Sequence, residues 1–346
     1  MPASSRVPVL IASWLDRSQA ERIAAAEPQR IELIYEPDLL PAPRYQADHH
    51  GPPRDLTLDQ RRRWRELLGR AEVSFEFDWE EPKDVLARAP SLRWVQATSS
   101  GIGPVVAEIG LADSPVRVTN AAGVHAQPLA EFVLMAVLYF LKEMPRLSRW
   151  KNERHWERFC GRELAGSKML LIGLGKVGCQ IATLSSAMGV EVIGHRRSAI
   201  LSAPPGVARI VDPAGLDAVL PDTDLLVIAA PETPETLNLV DRRRLQLLPP
   251  NALLVNVGRG SLVDEGALIE LLKAGRLSGA ALDVFAHEPL PPNSPLWSMP
   301  NVIISPHSAS TVMQENDRLV DLFIENLHRY LNGQPLINEF NHGRWY

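Results

Sequence analysis

Residues 169–178 read Met169-Leu170-Leu171-Ile172-Gly173-Leu174-Gly175-Lys176-Val177-Gly178. An apolar run ends in glycines spaced G-x-G-x-x-G. Such a string alone is weak. Here it follows a predicted strand, Lys168 to Gly173, and opens a predicted helix ending at Met188, the setting a dinucleotide-binding turn requires. Gly173 would permit the tight turn, Gly175 would let the backbone approach a pyrophosphate, and Gly178 would let helix and strand pack closely. Lys176 and Val177 stand at the helix N-terminus, whose partial positive charge suits phosphate.

Strand and helix alternate on both sides of this turn. Upstream, strands are predicted at Val7 to Ala12, Val73 to Phe77 and Leu92 to Ala97, with helices over Arg17 to Ala26 and near Pro82 to Ala89. A further helix should start near Pro128 and run to about Met144, stopping before Pro145. Downstream, strands are predicted at Val190 to Gly194, Leu225 to Ala230, Leu253 to Val257, Gly279 to Phe285 and Val302 to Ser305. One helix lies between Asp264, its cap, and Gly275, its stop, with Ala267, Leu268, Leu271 and Leu272 on one face. A last helix spans about Val312 to Leu331. The alternation predicts an α/β chain with doubly wound parallel sheets. Residues 36–54 interrupt it with five prolines and Gly51, which is loop chemistry.

At 346 residues the chain is long enough for two domains of about 150 residues. Apolar residues make up 45 %, which fits a globular chain rather than a disordered one. A formal net charge of −5 argues against nucleic-acid or membrane-surface partners. The runs Arg61-Arg62-Arg63-Trp64-Arg65 and Arg242-Arg243-Arg244 sit beside acids and read as solvated helix faces. Cys160 and Cys179 form no C-x-x-C and no cluster with histidine, so no metal site is expected and a reducing, cytoplasmic setting is. Residues 1–10 lack a signal-peptide pattern, and the longest apolar run, Phe132 to Leu141, is half of what a membrane span needs.

The strand ends carry the candidate chemistry. An NAD site usually places an acid at the end of the second strand, for the ribose 2′-hydroxyl. Here that strand ends in His195-Arg196-Arg197-Ser198. Guanidinium can pair with a 2′-phosphate that a carboxylate would repel. One charged hydrogen bond of roughly 1.5–3 kcal/mol would favour NADP(H) about ten- to a hundred-fold, with NAD(H) as the alternative cofactor. Arg259 stands between Gly258 and Gly260 past one strand, Glu288 past a second, and His307 past a third. A lone Arg or Glu in a loop is usually a surface charge, and a lone His is more often structural. Together, past three strands of a dinucleotide domain, they form an acid–base set for carbonyl reduction. Histidine can carry the proton near neutral pH, a carboxylate favours its charged form, and arginine polarises a carbonyl.

From about Leu92 to Ser310 the chain resembles the D-isomer-specific 2-hydroxyacid dehydrogenase family, and within it the glyoxylate/hydroxypyruvate reductase branch. The carriers are Thr119-Asn120-Ala121-Ala122-Gly123-Val124-His125, Ala130-Glu131-Phe132, Arg162-Glu163-Leu164-Ala165-Gly166, the glycine turn, Pro231-Glu232-Thr233-Pro234-Glu235-Thr236, and the Arg259, Glu288 and His307 segments. Residues 1–80 match weakly, and the proline-rich stretch departs from the pattern.

The resemblance implies two Rossmann-like domains with an active-site cleft between them. A discontinuous substrate domain, 1–120 plus 307–346, would flank a dinucleotide domain, 121–306. It implies an NAD(P)H-dependent reductase of a small 2-oxo acid, giving the D-2-hydroxy acid. His307 would be the proton donor, Glu288 would orient it and raise its pKa, and Arg259 would bind the carbonyl and carboxylate. Backbone N–H groups of Gly101, Ile102 and Gly103 would hold the substrate acid. Asp283 would contact the nicotinamide amide, and Pro231, Thr233 and Val257 would lie near the cofactor. The family is commonly dimeric, with the long helix after Gly123 buried between subunits, so a homodimer is expected. The rivals are a bulkier 2-oxo acid as substrate, a nicotinamide-sensing regulator, and formate or phosphite oxidation. Retention of Arg259, Glu288 and His307 argues against the regulator, and an acid at 288 against the formate case.

Overall fold

The computed structural model describes residues 6–49, 51–197 and 202–340. The chain divides into two compact units, Met1–Val124 with Thr311–Tyr346, and His125–Ser310.

The first unit holds a parallel sheet of β1 (Val7–Ile11), β2 (Ile31–Ile34), β3 (Val73–Phe75), β4 (Trp94–Gln96) and β5 (Arg117–Thr119). Its order is β2-β1-β3-β4-β5, so the winding reverses between β1 and β3. Val9 pairs with Leu33 on one side and Val73 on the other. The Leu58–Arg70 helix begins with a reciprocal cap in which the Thr57 hydroxyl accepts the Gln60 N–H and the Gln60 side-chain Oε1 accepts the Thr57 N–H. Trp64, Leu67 and Leu68 recur at helical spacing and are buried, which leaves the arginines of this helix on the outer face. The Glu315–Leu331 helix buries Leu319, Val320, Phe323 and Leu327 against Val9, Ile11, Phe75 and Trp94. The Phe323 ring stacks on Trp94 at 5.2 Å and meets Phe75 edge-on at 5.3 Å.

The second unit holds β6 (Lys168–Ile172), β7 (Glu191–His195), β8 (Arg209–Val211), β9 (Leu225–Ile228), β10 (Leu253–Asn256), β11 (Gly279–Leu282) and β12 (Val302–Ile304). The order β12-β11-β10-β9-β6-β7-β8 is parallel throughout, with the reversal between β6 and β9. Both faces are covered, so β6 is apolar at every buried position. Met169 and Leu171 pack on one side with Val133, Val137 and Ile181, while Leu170 and Ile172 pack on the other with Leu268 and Leu272. The Glu265–Lys273 helix is capped by Asp264, whose carboxylate accepts the Ala267 N–H, and Gly275 follows it at φ +66°.

Two sequence readings need correction. The helix predicted to run from Pro128 to Met144 spans Ala126–Leu141, and Pro145 opens a second helix, Met144–Glu153, instead of closing the first. A proline in the first turn removes an N–H that has no partner within the helix, so the residue serves either role. The helix near Pro82 to Ala89 is a 3-10 turn at Pro82–Asp84 followed by Val85–Arg88. The proline-rich stretch is pinned to its own unit: the His49 ring bonds Ser13 Oγ at 2.8 Å and Asn316 Oδ1 at 2.9 Å.

Candidate active site

The glycine turn shows why each glycine is required. Gly173 adopts φ +101°, and a Cβ there would lie 2.7 Å from the Ala230 backbone. A Cβ on Gly178 would lie 1.9 Å from the Gly173 carbonyl oxygen. A Cβ on Gly175 would meet nothing within 4 Å. Gly173 and Gly178 are therefore glycine because the protein fills the space. Gly175 borders open space, into which a side chain would project and which a dinucleotide would fill. The Lys176–Ala187 helix starts there, and burial pushes the Lys176 ammonium below its ordinary pKa. A phosphate beside it would offset that cost. These residues fit a nicotinamide dinucleotide.

The end of β7 is mixed. His195 is buried, its Nδ1–H donates to the Val211 carbonyl at 3.2 Å, and burial lowers its pKa. Arg196 lies near enough to the turn for its charge to oppose the upward push of burial on the Cys179 thiol. Arg197 pairs with Glu235 at 3.0 Å. Ser198 lies outside the described residues. Past β9, the Thr236 hydroxyl accepts the Thr233 N–H at 2.7 Å and donates to the Pro231 carbonyl at 2.8 Å, which folds Pro231 and Thr233 into one turn.

Three loops converge past β10, β11 and β12. Asn256 ends β10; its side chain accepts the Gly258 N–H and donates to the Arg259 carbonyl, both at 3.0 Å, which sets the backbone around Arg259. Val257 is buried and its N–H bonds the Ile228 carbonyl. Gly260 packs against the Phe285–Ala286 backbone, where a Cβ would lie 2.0 Å away. Glu288 accepts the Phe285 N–H at 3.0 Å through one oxygen and meets His307 Nδ1 at 2.8 Å through the other. A carboxylate acceptor assigns the hydrogen to Nδ1 and leaves Nε2 for chemistry. The His307 side chain is 48 % exposed, so that nitrogen is not walled in. His307 adopts φ +54°, a strained setting for a non-glycine residue. Asp283 holds it there: its backbone carbonyl accepts the His307 N–H, and Oδ1 accepts from Ser305 Oγ at 2.6 Å and from the N–H groups of Ser308 and Ala309 at 2.9 Å.

Gly101, Ile102 and Gly103 belong to the first unit, past β4. Ile102 is buried and Gly103 begins the Gly103–Glu108 helix. The Ser99 carbonyl accepts the Ala121 N–H at 3.0 Å, which ties the loop to the chain past β5. Sequence reasoning missed Glu76, a buried acid at the end of β3 that bonds Thr98. The charge inside Val-Ser-Phe-Glu-Phe was the available signal. Among the described residues no group of three His, Cys, Asp or Glu is placed to hold a metal ion. Among the same residues no helix is long and apolar enough to cross a membrane.

The family model of the D-isomer specific 2-hydroxyacid dehydrogenase NAD-binding domain matches residues 134–309. A glyoxylate reductase of Aeropyrum pernix is 33 % identical over 267 residues, 75 % of this chain and 79 % of that protein. A D-isomer specific 2-hydroxyacid dehydrogenase of Xanthobacter autotrophicus, solved with NADPH and MES, superposes with a TM-score of 0.78 at 28 % identity, covering 99 % of this chain and 100 % of that one. An NADPH-dependent glyoxylate/hydroxypyruvate reductase of Sinorhizobium meliloti, solved with NADP and sulfate, gives 0.76 at 28 % identity, covering 99 % and 100 %.

Proposed function

Because the chain belongs to the D-isomer-specific 2-hydroxyacid dehydrogenase family, oxidoreductases acting on CH–OH groups, we propose that it reduces a small 2-oxo acid of the glyoxylate or hydroxypyruvate kind to its D-2-hydroxy acid, with NADPH as the preferred reductant. The observation that carries this reading is the Glu288–His307 pair, which leaves Nε2 of an exposed imidazole open.

When bound, the nicotinamide supplies the hydride to the carbonyl carbon. His307 holds a proton on Nε2 and delivers it to the carbonyl oxygen. Glu288 accepts the Nδ1–H and fixes the ring, which leaves Nε2 to face the substrate. Arg259 draws electron density from the carbonyl and pairs with the substrate carboxylate. The N–H groups of Gly101, Ile102 and Gly103 offer donors for a carboxylate. Gly173, Gly175, Lys176, Val177 and Gly178 would form the turn that holds the pyrophosphate, and Arg196 and Arg197 would hold the 2′-phosphate. Pro231, Thr233 and Val257 would line the cofactor, and Asp283 would face its amide.

Two similar proteins, from Xanthobacter and Sinorhizobium, were solved with NADPH or NADP, which supports the cofactor preference. The acid-free end of β7 supports it independently. A homodimer is also proposed, because Met135, Met144, Leu147 and the 95 %-exposed Trp156 offer apolar surface along residues 126–160.

The test is the initial rate of NADPH and NADH oxidation with glyoxylate, hydroxypyruvate, pyruvate and phenylpyruvate. Turnover should be fastest with NADPH and a two- or three-carbon acid. His307→Ala should abolish turnover while NADPH still binds. Wild-type turnover confined to phenylpyruvate would overturn the substrate assignment, and a fully active His307→Ala the mechanism.

A further inference from the structure

Glu76 is a charged residue at the end of a buried strand, 7 % exposed, in a left-handed conformation at φ +73°. Neither feature is expected of a glutamate unless its surroundings hold it. They do. The backbone N–H of Glu76 extends the ladder to the Gln96 carbonyl at 2.8 Å, and its carbonyl accepts the Ser74 hydroxyl at 2.7 Å. One carboxylate oxygen accepts the Phe77 N–H at 2.9 Å. The other accepts the Thr98 N–H at 2.8 Å and also the Thr98 hydroxyl. All three side-chain bonds use the carboxylate as an acceptor.

Thr98 immediately precedes Ser99-Ser100-Gly101-Ile102-Gly103. Without such an anchor, a loop with two serines and two glycines would have many conformations. With it, the loop is fixed at Thr98 by Glu76, at the Ser99 carbonyl by Ala121, and at buried Ile102 by the core. We propose that Glu76 is the positioning residue of the substrate-carboxylate loop: it clamps Thr98 so that the N–H groups of Gly101 to Gly103 are aimed before the oxo acid arrives. The inference rests on the reading of this loop as the carboxylate site. Glu76 touches neither substrate nor cofactor. Its effect is to remove an ordering cost from substrate binding.

Glu76→Gln tests this directly. The amide is nearly the same size but carries a donor where the carboxylate had an acceptor, so an NH2 must face the N–H of Phe77 or of Thr98. Thr98→Val is the second arm, because it removes only the hydroxyl bond and leaves the backbone bond. In the full-length enzyme, Glu76→Gln should raise KM for the oxo acid by about tenfold and Thr98→Val by about threefold. KM for NADPH should stay within about twofold in both, since only the loop is disturbed. Amide hydrogen exchange at residues 98–103 should accelerate in Glu76→Gln. If Glu76→Gln does not fold, Thr98→Val decides on the same KM criterion. An unchanged oxo-acid KM in the folded variants, even with faster exchange or a lower melting temperature, would make Glu76 a purely structural residue and overturn the proposal. Wild-type protein that turns over no 2-oxo acid would overturn it too, by removing the parent reading, and shows that failure before any variant is made.

Discussion

A methyl group added at Gly175 would meet open space, whereas one at Gly178 would strike the Gly173 carbonyl. The two glycines of one turn therefore answer to different pressures, and two substitutions separate them. Gly175→Ala should leave the melting temperature almost unchanged and weaken NADPH binding by about tenfold or more, because the methyl occupies the approach to the pyrophosphate. Gly178→Ala should lower the melting temperature as well, since helix and strand must part to admit it. Thermal unfolding with a fluorescence titration of NADPH reads both. Equal loss of stability in the two variants would mean that the space above Gly175 is not kept for a ligand. The steric reasons for Gly173 and Gly178 were legible in sequence because spacing and local context encode them. Glu76 was not, because its meaning depends on Thr98, which adjoins it only when β3 pairs with β4. For Asp283 the family resemblance implied a cofactor contact; its bonds to Ser305, Ser308 and Ala309 appear only in three dimensions.

Among the elements, the apolar strands around the glycine turn were plain in the sequence, and three short strands that carry charged residues were missed. β2, β5 and β8 have three or four residues and include Glu32, Arg117 and Arg209. Too few apolar positions remain to show a period, and parallel pairing with a stronger neighbour holds them in place. The Glu315–Leu331 helix shows the opposite case. Its buried side recurs at Leu319, Val320, Phe323 and Leu327, which sequence periodicity reveals, but its seat on Trp94 and Phe75 joins residues more than 220 positions apart. Phe323→Ala would leave a cavity between two rings that cannot easily close. It should cost the first unit about 3–5 kcal/mol, measured by urea unfolding. A cost below about 1 kcal/mol would show that this helix is not packed as described.

For the molecule as a whole, chain connectivity makes the two units unequal. His125–Ser310 is one continuous segment with its sheet covered on both faces by its own helices. The other unit is interrupted: residues 1–124 supply the strands, while Leu319, Val320, Phe323 and Leu327 arrive from the far end of the chain. Expressed alone, 125–310 should therefore fold cooperatively and bind NADPH, because it carries its own core and the whole glycine turn. It should turn over no oxo acid, lacking the Gly101–Gly103 loop. Residues 1–124 alone should not reach a stable fold, since Val9, Ile11, Phe75 and Trp94 would face water on one side of the sheet. Joining 311–346 to residue 124 through a short glycine–serine linker should restore cooperative unfolding. Circular dichroism melts of the three pieces read the outcome. A cooperative melt for 1–124 by itself would mean that the returning helix is an accessory to that unit rather than part of its core. An insoluble 125–310 that becomes soluble only with the rest of the chain would mean that its apolar helix after Val124 needs a covering surface that the segment alone does not provide.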